Sequence, residues 1–151
     1  MKAIAHIPPN IPAALLILLW IYTGFDKILM FDSSRDAFHN QTFPSELAEI
    51  LSYAVPVTEL GIASLLLFPL SRWWGFLASI ILLSIFTSYV GLIWVGAFPR
   101  VPCNCAGILS SMGWAEHLVF NLIFIAIGIY GLYQTPKKSP GYCPGPFSLK
   151  K

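Results

Sequence analysis

An all-α integral membrane protein, built as an antiparallel bundle of four helices, is the fold class that this sequence predicts. Three observations carry it. Of 151 residues, 56% are hydrophobic and only 11% charged, where a soluble domain carries about 25% charged. The apolar residues fall into four stretches, each near the ~20 residues that a membrane-crossing helix needs. Aromatic side chains make up 15% of the chain, and Trp and Tyr gather at bilayer interfaces.

The first span is residues 11–31, interrupted only by Asp26 and Lys27 near its end. Only Lys2 precedes it and no small-residue cleavage site follows, so a retained helix is expected and not a signal peptide. A polar loop from about Asp32 to Ser45 comes next and breaks near Pro44. Ser45 is the expected N-cap for Glu46-Leu47-Ala48-Glu49, whose acidic residues suit a first helical turn. That helix runs into the second span, residues 50–70, where Pro56 removes a backbone bond and predicts a kink. The short connection Pro69–Arg72 makes the second and third spans antiparallel neighbours. The third span, residues 74–98, carries no charge, and Trp114–Leu132 forms the fourth. Residues 1–134 thus make one four-helix domain. The tail, 135–151, has four prolines and two glycines after Gln134 and is expected to be poorly ordered.

Orientation follows from the basic residues in the short flanks. Lys2, Arg72, Lys137, Lys138, Lys150 and Lys151 share one side, against Lys27, Arg35 and Arg100 on the other. This bias predicts an inner-membrane protein with both termini in the cytoplasm. The net charge of +2, with no basic stripe among aromatics, gives no reason to expect nucleic-acid binding.

The segment Pro99–Gly113 joins the last two spans and contains Cys103-Asn104-Cys105. The predicted topology places it in an oxidising compartment, where disulfides persist. A disulfide wants Cα atoms ~4.4–6.8 Å apart, so an i,i+2 pair closes only if the backbone bends. Such a ring should be strained, and strained disulfides are the exchangeable ones. Two thiols that merely stabilise a loop are the plainer alternative. Structural zinc wants four ligands, and Cys143 lies across the membrane, so no metal site is expected.

Glu59 stands at the tenth position of the 22-residue stretch 50–71. A carboxylate at that depth costs ~2.5–3.5 kcal/mol, so it should face the bundle interior and either be protonated or find a polar partner, from Lys27 or Asp26 on the first span or His117 or Asn121 on the fourth. It could simply fix helix packing, or serve as a proton or quinone-headgroup ligand. His117 and Asn121 share one face of the fourth helix, one turn beyond Trp114. That face leads from the cysteine loop into the membrane, where His117 could lower a thiol pKa or act only in packing. Asp26 and Lys27 are interface anchors by default, with Lys27 snorkelling; turned inward, they would join Glu59 in one polar cluster.

Four spans, Gly24-Phe25-Asp26-Lys27 closing the first, and Pro56-x-x-Glu59-Leu60-Gly61 in the second resemble the DoxX superfamily of small membrane proteins. Pro102-Cys103-Asn104-Cys105-Ala106-Gly107, followed by Trp114 and Asn121, is similar to the MauE branch, with Asn104 and Ala106 where glycine and phenylalanine are commoner. The resemblance covers about residues 11–133. It implies a DoxX-like four-helix bundle in which Cys103 and Cys105 exchange with the dithiol of a thioredoxin-like periplasmic partner. It also implies a role in maturing a disulfide-rich periplasmic protein; other superfamily members are subunits of quinone-linked oxidoreductases.

The leading reading is therefore a redox-associated membrane protein performing thiol–disulfide exchange, a thiol–disulfide oxidoreductase if it is an enzyme. Two alternatives stand beside it: a non-catalytic subunit anchoring a larger complex, and a small-molecule carrier using Glu59. No flavin, nucleotide or haem motif is present, so no cofactor is evident and a quinone would have to bind between helices.

Overall fold

A computed structural model describes residues 10–41, 44–97 and 113–135. They form five helices: α1 (Asn10–Leu29), α2 (Phe31–His39), α3 (Ser45–Leu67), α4 (Arg72–Trp94) and α5 (Trp114–Gln134). α1, α3, α4 and α5 are each long and apolar enough to cross a membrane. They pack in a ring in the order α1, α3, α4, α5, with α5 closing against α1. The chain is an all-α membrane bundle, and α2 lies across one end of it.

The interior stripes follow helical spacing. On α3 the buried residues are Ala48, Ser52, Val55, Pro56, Glu59, Ile62, Ala63 and Leu66, one face recurring every three or four positions. Leu16 and Trp20 of α1, Leu66 of α3 and Phe76 and Leu83 of α4 meet in the core, with Phe120 and Phe124 of α5 packed against them. Outward faces carry large apolar side chains such as Leu18, Val57, Ile85 and Tyr133, as lipid contact requires. Hydroxyls that would otherwise face hydrocarbon donate back to their own helices. Thr58 donates to the Ala54 carbonyl at 2.7 Å and Ser88 to the Ser84 carbonyl at 2.8 Å, which satisfies them internally.

Buried polar contacts fix the helix pairing. Trp20 Nε1 donates to Ser79 Oγ at 2.9 Å, and Ser79 Oγ donates to the Gly75 carbonyl at 2.8 Å, tying α1 to α4. Gly131 of α5 faces the Phe76 ring so closely that a Cβ there would overlap it. At the opposite end from α2, Arg72 Nη1 donates to Asn10 Oδ1 at 2.8 Å.

The polar stretch read as a loop from Asp32 to Ser45 contains a helix instead. Phe31, Ser34, Ala37 and Phe38 recur at helical spacing, and Ser34 is buried. The Phe31 ring meets Tyr53 with centroids 4.9 Å apart, so tertiary packing stabilises a segment too short to hold itself helical in water. α3 also begins differently from expectation. Pro44 occupies the N-cap, Ser45 is the first helical residue, and no side chain caps the end. The helix continues through Pro56. α4 stops at Trp94, four residues before the expected end at 98. Gly96 has φ +72°, and the Gly96 and Ala97 N–H groups donate to the Ile93 and Leu92 carbonyls, a Schellman ending that favours glycine.

Candidate functional site

Glu59 faces inward from the middle of α3 and is 1% exposed. Its partner comes from α1: Lys27 Nζ donates to Glu59 Oε1 at 2.8 Å and to Oε2 at 3.1 Å. The same ammonium donates to the Thr23 carbonyl at 3.3 Å. Lys27 therefore turns into the bundle rather than anchoring α1 at the interface, because a carboxylate buried in hydrocarbon offers it a stronger partner than the headgroup region. Gly24 makes the approach feasible. A Cβ at that position would lie 3.1 Å from Leu60 and 3.6 Å from the Glu59 Cβ, so the absent side chain lets α1 and α3 close where the pair forms.

The pair lines a cavity of about 250 Å³ at the α2 end of the bundle. All five helices contribute to its walls. Leu19, Trp20, Leu51, Val55, Leu83, Phe86, Val90 and Phe120 make it mostly apolar, and Thr23, Asp26, Ser34, Gln41, Tyr89, His117 and Asn121 supply the other polar groups. Asn121 is 4% exposed, and its Nδ2 has no hydrogen-bond partner among the described residues. Thr23 sits beside Glu59, yet its hydroxyl makes no well-formed hydrogen bond. His117, one turn before Asn121, is half-buried on the same wall. Asp26 borders the cavity but makes no ion pair with a described residue.

α2 covers this chamber. Arg35 Nε donates to Glu49 Oε2 at 2.7 Å, and His39 Nε2 lies 2.9 Å from the same oxygen. The Glu49 hydrogen bond and charge hold the Arg35 guanidinium above its ordinary pKa. The Tyr89 hydroxyl donates to Gln41 Oε1, linking the end of α2 to α4. At the entrance to α5 the Gly113 N–H donates to Glu116 Oε2 at 3.0 Å, which caps the helix.

The structure thus brings Glu59, Lys27, Asp26, His117 and Asn121 around one cavity. Cys103, Cys105 and Cys143 lie outside the described residues. The described residues that flank the first two, Ala97 just past the end of α4 and Gly113 before α5, lie at the cavity's end of the bundle. Gln41 and Tyr89 had no signal in the sequence: they meet across 48 positions, and nothing local marks either. Thr23 directly precedes Gly24-Phe25-Asp26-Lys27 and carried no signal of its own. Among the described residues no group of three or more His, Cys, Asp or Glu side chains converges as metal ligands would.

Comparison with curated proteins and with solved structures finds no match. A family model described as methylamine utilisation protein MauE matches residues 2–134, and with the whole bundle inside that match, the chain belongs to the MauE family.

Proposed function

We propose that this protein carries out thiol–disulfide exchange at the outer face of the inner membrane, through Cys103 and Cys105, in the service of methylamine utilisation. The observation that carries the reading is one of placement. The connection bearing the dithiol joins α4 to α5 at the same end as the cavity that holds Lys27, Glu59, His117 and Asn121. A dithiol there, with both termini cytoplasmic, would meet periplasmic partners and have a polar chamber next to it. The family name supplies the pathway.

The chemistry balances without a further reactant. One partner thiolate attacks a sulfur of the Cys103–Cys105 disulfide and expels the other cysteine as a thiolate, giving a mixed disulfide. The second partner thiolate then attacks the partner's own sulfur in that bond. The partner leaves oxidised, and both loop cysteines are left reduced. Run backwards, the same steps reduce the partner. His117 would act as the positioning group that favours thiolate formation.

Alkylation with mass measurement in intact cells tests the reading. Cys103 and Cys105 should shift between protected and alkylated forms when a thiol reductant is added. Cys103→Ser or Cys105→Ser should trap a mixed disulfide through the remaining cysteine, with a thioredoxin-like protein as the trapped partner. Undiminished activity in the double variant would refute exchange and favour an anchoring subunit.

A further inference from the structure

Charge and size together restrict what the chamber can hold. Lys27 and Glu59 neutralise one another, whereas Asp26 borders the cavity without an ion pair to any described residue. The lining therefore carries an excess of negative charge. A carboxylate in an apolar membrane bundle is costly to leave unpaired, and the low local dielectric strengthens its pull on a cation. An anion is repelled, and a neutral molecule makes no use of Asp26.

A bare metal ion does not suit the walls. Hard cations such as calcium gather about six or more oxygen ligands, and no group of three or more His, Cys, Asp or Glu converges among the described residues. The cavity is also far larger than an ion. A void of about 150 Å³ already holds benzene, and this one, at about 250 Å³, takes a ring with a short arm. Trp20, Phe86 and Phe120 line it, and aromatic faces attract ammonium groups and pack against flat apolar frames.

The chamber also contains a donor that lacks an acceptor. Asn121 is 4% exposed and its Nδ2 has no partner among the described residues, although buried donors are almost always satisfied. An ammonium group cannot serve it, having no lone pair to offer. The ligand must therefore carry an uncharged oxygen as well as its positive charge. Asp26 stands on α1 and Asn121 on α5, so one molecule has to reach from one helix to the other.

We infer that the chamber binds a small arylalkylamine in its ammonium form, with Asp26 as counter-ion and Asn121 Nδ2 donating to an uncharged oxygen on the same molecule. The route in is lateral, because Tyr22 of α1 and Ile85 of α4 line the cavity and are also exposed on the outer faces. Lys27 and Glu59 take no part in the charge recognition; their pairing keeps Lys27 from neutralising Asp26.

Calorimetric titration of the full-length protein in phosphatidylcholine nanodiscs tests this, with tyramine as the probe. Tyramine has a ring, an ammonium group and a phenolic oxygen, and saturable binding is expected. Phenethylamine lacks the oxygen, and tyrosol has a hydroxyl in place of the ammonium. Each should bind about tenfold more weakly, since one such contact is worth about a factor of ten. Asp26→Asn should weaken tyramine by at least as much and leave tyrosol unchanged, and Asp26→Glu should recover part of the loss. Asn121→Leu should lower tyramine to the level of phenethylamine; if that variant does not fold, phenethylamine makes the same comparison on the unaltered protein. Methylammonium, with neither ring nor oxygen, should compete only at far higher concentration. Five results would overturn the inference: no saturable binding of tyramine; tyrosol binding as tightly; no change in Asp26→Asn; methylammonium competing equally; or displacement of the probe by phosphatidylethanolamine in the bilayer, which would make the chamber a lipid-headgroup site. Amine binding does not require thiol exchange, so failure here and failure of the alkylation experiment are separately visible.

Discussion

Lys27 and Glu59 show how one residue's placement forces another's. A carboxylate in the middle of an apolar span must find a partner or take up a proton, and that much could be read from the sequence. Which partner could not, because Lys27 sits close enough to a helix end to snorkel outward or turn in. Gly24 permits the inward choice, because a Cβ there would press on the Leu60 side chain at 3.1 Å where α1 meets α3. Removing one member should leave the other charged and buried. Lys27→Met is expected to destabilise the bundle by about 3–5 kcal/mol, whereas Lys27→Met combined with Glu59→Leu should recover most of the loss; thermal unfolding in detergent measures both. The buried Trp20–Ser79 bond gives a second case. Ser79→Ala strands the indole N–H and should cost about 1–3 kcal/mol, and adding Trp20→Phe should remove most of that penalty because no unsatisfied donor is then left.

Long apolar helices announce themselves, because a run of about twenty such residues has few other uses. α1, α3, α4 and α5 were legible for that reason, and Pro69–Arg72 was legible as the tight turn between two of them. α2 was not. Its nine residues include Asp32, Arg35 and Asp36, and only the recurrence of Phe31, Ser34, Ala37 and Phe38 hinted at an amphipathic face. Which side of each spanning helix faces inward was equally hidden, since hydrocarbon and protein core accept the same side chains. The small and polar residues carry that information instead, as Ser52, Ser79 and Gly131 do here. Gly131→Leu should force α5 away from the Phe76 ring and cost about 1–3 kcal/mol through overpacking. Shortening the obstacle with Phe76→Leu in the same protein should restore part of the stability, read by the same unfolding measurement.

For the whole molecule, the excess of Lys and Arg beside the termini predicts that a C-terminal tag is shielded from protease added outside the inner membrane. Digestion of that tag in spheroplasts would reverse the orientation and place Cys103 and Cys105 in the reducing compartment. The candidate site was legible in part for a related reason of scale. Glu59, Lys27, His117 and Asn121 were suspicious as individual residues, but the cavity among them is a property of five helices together and has no local trace. That the charged pair joins α1 to α3 also bears on how the protein is made. α3 leaves the ribosome carrying a lone carboxylate at a depth where it resists insertion, and its counter-ion already resides in the helix synthesised before it. α1 is thus expected to assist the insertion of α3. In an insertion assay, α3 alone should partition into the bilayer poorly, Glu59→Leu should relieve the defect, and supplying α1 ahead of it should do so only when Lys27 is present.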